Sequence, residues 1–393
     1  MPRTLRVPHD DPRLRYRGAV SLQRGPGWTA PWRLPYEEAA LHLPEGGAGR
    51  AAMPAGVRVT FRTDARALRC RYQADPPPRL NGPQELPYLD VLCGQRPNTV
   101  LLTADGRDHG FRVGGLPGRP GGSPGLVELW LPTYAQFRLR ELVLEGATEV
   151  VRDDREGPRW VLYGSSIAQG RGAASPARAW PALVARRTGW DLTSLALGAA
   201  CYLQPMTARL IRDLPADLVT ACAGINIQAL GTHNGDSLAA AVVGFVTTVR
   251  EGHPRTPFTM MSAIVAPDRE DVPGPSGLTL AASRGHIRRA VELLRRHGDS
   301  RLSYLDGLDV LGPDLVHLLL EPEGIDRLHP APAGHPVVAD RFLARVAPGL
   351  HAAGLRAGGL HAAGPSTAGP RTAGPRTEPV CASNSMNAGL VEP

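Results

Sequence analysis

The chain has no lysine: all 44 of its basic residues are arginine, in a length of 393. That excludes a Schiff-base lysine and a phosphate-binding loop ending in Gly-Lys-Ser/Thr, since the one needs a lysine amine as nucleophile and the other a lysine ammonium as phosphate partner. Aromatic residues are scarce at 5%, and the arginines alternate with acids instead of forming one stripe. The formal charge of +7 therefore comes without the motifs of a nucleic-acid binder, and no nucleic-acid partner is expected. Cysteine is limited to Cys70, Cys93, Cys201, Cys222 and Cys381, an odd, widely spaced set with no C-x-x-C pair. Neither a disulfide framework nor a zinc site is expected, and the compartment implied is reducing, hence cytoplasmic. Long apolar runs are missing too: nowhere do about 18 uncharged apolar residues follow one another, and Met1 to Leu14 is charged and contains proline. We expect no membrane span and no secretion signal. Histidines form neither H-E-x-x-H nor a His/Cys cluster, and the glycine-rich "VGGLPGRPGG" lacks G-x-G-x-x-G spacing, so no metal and no other cofactor is expected.

Hydrophobic residues make up 42% of the chain, enough to fill two cores in a length too great for one. Up to about Val150, short alternating apolar runs are separated by Gly- and Pro-rich turns: "VRVTFRT" (57–63), "ALRCRYQ" (67–73), "YLDVLC" (88–93), "TVLLTA" (99–104), "LVELWLP" (126–132) and "FRLRELVLE" (137–145). Period-two alternation without helical stretches predicts an antiparallel β-sandwich, each sheet wet on one face, with "RVGGLPGRPGGSPG" (112–125) as a long loop.

From Arg159 the pattern changes. Nearly continuous apolar strands alternate with helical segments, from "WVLYG" through "DLTSLALG", "DLVTACAG", "PFTMMSAIV" and "RLSYLDGL" to a last helix over about 333–347. This predicts a doubly wound α/β domain, a parallel sheet covered on both faces. The organisation expected is a jelly-roll-like accessory domain over 1–150, a charged linker over 151–158 and a catalytic α/β domain over 159–349. An Ala/Gly/Pro-rich tail over 350–393, too poor in large apolar residues to offset its ordering entropy, is expected to be disordered.

In an open parallel sheet, ligands sit beyond the carboxyl ends of the strands. The loops there are "GSSIAQG", "GAAC", "GINIQ" and "DRLHP". A serine hydroxyl needs a base oriented by a carboxylate, plus donors for the developing oxyanion. Asp326 and His329, three positions apart in "GIDRLHPAPAGH", supply orienter and base from one segment. Asn226 offers a side-chain amide, and the N–H groups of Ser166 and of the residues following Gly198 offer backbone donors. The serine itself is Ser165 or Ser166; Ser166 lies nearer the helix N-terminus, where backbone donors gather. A second D-x-x-H, Asp314 to His317 in "PDLVHL", reads as a helix cap followed by a histidine among leucines.

"YGSSIAQG", "SLALGAACYLQP", "ACAGINI" and "DRLHP", in that order, resemble the four blocks of the SGNH (GDSL-type) serine hydrolases. With the β-rich N-terminal part, the resemblance extends to the two-domain actinobacterial subgroup of that family, which includes an acyltransferase of a tetracycline pathway. It implies a flavodoxin-like catalytic domain and an esterase or acyltransferase acting through an acyl-enzyme on a small-molecule or carbohydrate ester. By position it makes Ser166 the nucleophile, Asp326 and His329 the acid and base, and Ser166, Ala199 and Asn226 the oxyanion hole. Three departures stand out: Ser165 replaces the usual aspartate, Ile227 follows Asn226 where an acid is usual, and Ala199 replaces the oxyanion glycine. Alanine at 199 is neutral if its φ is negative and costs about 1 kcal/mol or more if φ is positive. Two other classes stay open: a carbohydrate-type binding protein whose SGNH domain is inactive, and a scaffold in a larger assembly. The residues specify no oligomeric state.

Overall fold

The computed structural model describes residues 4–43, 49–76 and 85–352, which fall in one compact unit. In chain order the first strands are β1 (Thr4–Pro8), β2 (Arg15–Arg17), β3 (Ser21–Gly25), β4 (Trp28–Trp32), β5 (Arg58–Thr63) and β6 (Ala67–Asp75). After them come β7 (Tyr88–Leu92), β8 (Pro97–Leu101), β9 (Asp108–Gly114), β10 (Gly125–Trp130), β11 (Gln136–Glu145) and β12 (Val150–Val151). Among the described residues they form two antiparallel sheets, β3-β4-β11-β6-β9 with β1 on β11, and β12-β5-β10-β7-β8 with β2 on β5. The sheets share one core in which Val59, Phe61 and Leu129 of one meet Leu68, Tyr72 and Leu142 of the other.

The apolar alternation locates the strands that feed this core. It does not locate β1 to β4 or β9. β9 is an edge strand with a single buried residue, Val113, so there was little apolar pattern to read, and the expected loop over 112–125 begins only after Gly114.

The second half builds a five-stranded parallel sheet: β13 (Arg159–Gly164), β14 (Asp191–Ala196), β15 (Leu218–Cys222), β16 (Phe258–Met261) and β17 (Leu302–Leu305), in the order β14-β13-β15-β16-β17. The helices are α1 (Ser166–Gln169), α2 (Trp180–Thr188), α3 (Pro205–Asp213), α4 (Ile225–Leu230), α5 (Gly235–Gly252), α6 (Leu280–Arg296), α7 (Gly307–Val310) and α8 (Gly334–Ala352). The fold class is as expected. α8 continues past 347 to Ala352, and the expected tail beyond that point lies outside the described residues.

β13 shows why a continuous apolar run makes a central strand. Its alternate residues serve two cores: Trp160 and Leu162 face one, Val161 and Tyr163 the other. Trp160 stacks on Phe342 of α8 at 5.5 Å between ring centroids and meets Trp190 edge-on at 5.6 Å. On the opposite face Tyr163 stacks on Phe245 of α5 at 5.2 Å. Truncating Trp160 to alanine would cost about 3–5 kcal/mol.

β13 lies where the strand order reverses, with β14 on one side and β15 on the other, and a crevice opens beyond its carboxyl end. The two halves are joined near this point. Arg33, fully buried, donates to Met53 O at 2.6 Å and Arg50 O at 2.5 Å, then to Ser194 O at 3.3 Å and Ala196 O at the end of β14.

Candidate active site

At the end of β13 the chain must turn at once into α1, and it turns on Gly164. A Cβ there would stand 2.6 Å from the Ala168 Cβ and 3.3 Å from the Cys222 Cβ, so only glycine lets the helix fold back over the strand. The turn separates the two serines. Ser165, the extended N-cap residue of α1, is 4% exposed and borders an apolar pocket with Ile167, Trp180 and Cys222. Its hydroxyl makes no capping bond to α1. Ser166, the first residue of α1, is only half-buried.

The structure brings Ser166, His329 and Asp326 together. Ser166 Oγ lies 2.7 Å from His329 Nε2, and His329 Nδ1 lies 2.7 Å from Asp326 Oδ1. The same Asp326 oxygen accepts the His329 backbone N–H at 3.2 Å, which closes the three-residue spacing into a local turn. Burial pushes the His329 pKa below its ordinary value, against the pull of the Asp326 hydrogen bond and charge. Burial works to raise Asp326, but the His329 hydrogen bond and the charges of His329 and Arg171 outweigh it, leaving the carboxyl below the usual range. The imidazole is thus held neutral beside an ionised carboxylate.

The second D-x-x-H goes elsewhere. Asp314 and His317 lie exposed on a 3-10 turn, Pro313–Leu318, and Asp314 makes no capping bond, as it was expected to, but pairs with Arg341 at 3.4 Å. His317 points to solvent and not among leucines.

The residues expected to form the oxyanion hole lie on the neighbouring loops. The Asn226 amide oxygen accepts Cys201 N–H at 3.2 Å, so the donor end of this side chain is Nδ2. Gly198 N–H is taken by Gln169 Oε1 at 2.8 Å, and a Cβ on Gly198 would stand 3.4 Å from the Ser166 Cβ. The next N–H, that of Ala199, meets no acceptor among the described residues. Ala199 has φ +57°, the left-handed region, so the cost foreseen for a positive φ applies here. The surrounding loop holds it there. Tyr202 Oη donates to Ala199 O, Gln204 Nε2 donates to Ala200 O at 2.6 Å, and Tyr163 Oη donates to Gln204 Oε1 at 2.5 Å.

Two clefts flank the serine. One, of about 410 Å³, is lined by Arg50, Met53, Asp75 and Gln136 from the antiparallel half and by Gly198, Ala199 and Tyr202. The other, of about 580 Å³, is lined by Arg171, Gln228, Arg269, Val272, Asp326 and His329. A larger cavity of about 710 Å³, bordered by Arg17, Gly157 and Asp191, sits at the amino ends of the strands, away from the serine.

Sequence reasoning missed Gln169, Arg171 and Glu85. Gln169 ties the first and second loops together and donates to Thr133 O at 3.1 Å. Arg171 pairs with Asp326 Oδ2 at 3.0 Å. Glu85 arrives from the antiparallel half and accepts Gly172 N–H at 3.0 Å. Gln169 and Arg171 stand within or beside the first block, where their polarity was the only signal; nothing local marks Glu85. Cys201 is buried, donates its thiol to Cys222 O at 3.3 Å and, through its backbone N–H, positions Asn226. Among the described residues, no helix is long and apolar enough to cross a membrane.

A family model described as the SsfX3 N-terminal domain matches residues 14–140, and that of the GDSL-like lipase/acylhydrolase family matches residues 162–337. No curated protein matches the chain. Among solved structures, the salicylyl-acyltransferase SsfX3 from a tetracycline biosynthetic pathway is similar with a TM-score of 0.82 and 44% identity, over 90% of this chain and 99% of its own. A protein of Bacteroides ovatus ATCC 8483 described as a GDSL-like lipase has a TM-score of 0.70 at 18% identity, over 89% of this chain and 98% of its own. A family two carbohydrate esterase from Cellvibrio japonicus has a TM-score of 0.61 at 14% identity, over 89% and 99%. The last two share the fold; the first, with the two family models, settles the kinship: this chain belongs to the GDSL-like lipase/acylhydrolase family, in the two-domain form that SsfX3 has.

Proposed function

We propose that the protein is a serine-dependent acyltransferase or esterase that passes a small acyl group through Ser166. The observation that carries this reading is the pair of 2.7 Å contacts linking Ser166 Oγ to His329 and His329 to Asp326. Ser166 Oγ attacks the ester carbonyl while its proton passes to His329 Nε2, and the carbonyl electron pair moves onto oxygen. Asp326 holds the Nδ1–H tautomer and offsets the imidazolium charge. The N–H groups of Ser166 and Ala199 and the Asn226 amide receive the oxyanion. A donor of this kind is worth about 10²–10³ in rate. Collapse of the intermediate expels the alcohol, which takes the proton from His329 and leaves the acyl group on Ser166. Water, or an acceptor hydroxyl, then repeats the sequence in reverse.

The substrate class we infer is a small-molecule or carbohydrate O-acyl ester. SsfX3 is a salicylyl-acyltransferase, and the cleft beside Ala199 is walled by both halves of this chain, which gives room for an acceptor as well as a donor. Whether water or alcohol receives the acyl group depends on how well that cleft excludes the one and orients the other.

The test is covalent labelling with a fluorophosphonate probe. The native chain is expected to label and Ser166→Ala to lose the label. An unlabelled native chain would refute the catalytic reading.

A further inference from the structure

Charged groups surround the triad without taking part in proton transfer, and their arrangement is specific. Arg171, 7% exposed, places Nη2 3.0 Å from Asp326 Oδ2. Asp326 is therefore held at both oxygens, with Oδ1 toward His329 and Oδ2 toward the guanidinium. A planar, permanently charged fork fixes the rotation of a carboxylate better than a neutral donor does.

Arg171 is itself anchored. Its carbonyl accepts from His335 Nε2 at 3.1 Å, and the His335 Nδ1 accepts Trp180 N–H at 3.2 Å. These two bonds set the His335 tautomer and tie the Arg171 backbone to α8 and α2. Full burial pushes His335 down to about 4, so it stays uncharged at neutral pH.

On its far side Arg171 meets Glu85, whose Oε1 lies 3.9 Å from Arg171 Nε and accepts Gly172 N–H. Burial raises the Glu85 pKa, with the Gly172 hydrogen bond and the Arg171 charge opposing. Arg269, half-buried across the cleft, is the other cation acting on His329.

The charges explain why an acid is useful there. Asp326 and Arg171 alone cancel, so a proton taken up by His329 would leave a net positive charge in a buried place. With Arg269 counted as well, two carboxylates balance two guanidiniums before His329 is protonated, whereas without Glu85 the cluster would already be positive.

We propose that Arg171 is a positioning residue that aims Asp326 at His329, and that Glu85, supplied by the antiparallel half, restores the negative charge Arg171 cancels. The inference rests on the reading of Ser166, His329 and Asp326 as a triad. It extends that reading to a residue more than two hundred positions upstream of the base.

The experiment follows the rate of fluorophosphonate labelling of Ser166 against pH in the full chain, native and as Arg171→Gln, Arg171→Lys and Glu85→Gln, with a thermal melt of each. Arg171→Gln is expected to slow labelling about tenfold or more and to move the acid limb up by about one pH unit, because a cation that disfavours imidazolium is gone. Arg171→Lys keeps the charge and is expected to hold the native limb while recovering only part of the rate. Glu85→Gln should shift the limb the opposite way, to lower pH. Opposed shifts are a signature that a purely structural role would not give.

Limbs in Arg171→Gln and Glu85→Gln that coincide with the native one would overturn the proposal while leaving the triad standing. A native chain that does not label overturns the triad and the proposal together. If Arg171→Gln does not melt as a folded protein, Glu85→Gln decides: a downward shift supports the proposal and an unmoved limb overturns it.

Discussion

Two segments of this chain, eight residues apart in sequence, carry the same Asp-x-x-His spacing and end in opposite circumstances. Asp326 and His329 are 7% and 6% exposed, hydrogen-bonded to one another, and aimed at a serine. Asp314 and His317 lie exposed on a 3-10 turn, the acid paired, among the described residues, with Arg341. Spacing lets a carboxylate reach an imidazole. Burial beside a third group gives the pair a proton to move, because only there is the charge on the ring held by one carboxylate and not shared with water.

The contrast can be broken most severely at the histidines. His329→Ala is expected to lower ester turnover about 10³-fold or more, whereas His317→Ala should leave it unchanged; steady-state hydrolysis of an aryl ester compares them directly. Equal losses would mean that the wrong pair has been assigned. A smaller effect is expected at the acids. Asp326→Asn should cut kcat by at least about tenfold by favouring the wrong tautomer of His329, with Asp314→Asn near the native rate. The smallest effect concerns the oxyanion loop. Ala199→Gly relieves a left-handed alanine and should stabilise the fold by about 1 kcal/mol, read as a raised denaturation midpoint with kcat changed only a few-fold. A destabilised glycine variant would show that the Ala199 methyl makes contacts worth more than its strain.

Much of the catalytic half was legible because its signals are local. "WVLYG" declares a strand buried on both faces, and the loops after β13, β14 and β15 and the segment before α8 carry residue types that only a few chemistries need together. The antiparallel half was legible only where a strand feeds the core on alternate residues, as β5, β6, β10 and β11 do. β3, paired with its neighbour β4, carries no fully buried residue to alternate. β1, β2, β4 and β9 pair with distant strands, such as β9 with β6 over 108–114 and 67–73, and a pairing partner leaves no mark in the strand's own residues. The same holds for Glu85, whose role exists only because the sheets carry it to Arg171. The sign of φ at Ala199 was likewise a property of the loop, fixed by Tyr202, Gln204 and Tyr163 and not by the alanine.

Arg33 brings a consequence for how the molecule comes apart. Its guanidinium donates to carbonyls at 50 and 53 on its own side and at 194 and 196 on the other, so parting the halves would leave two acceptors and one arm of a buried ion unpaired at once. Heating should accordingly give a single calorimetric transition instead of two. A chain severed at the linker should refold poorly in pieces, since each fragment would inherit half of a desolvated contact that neither can complete.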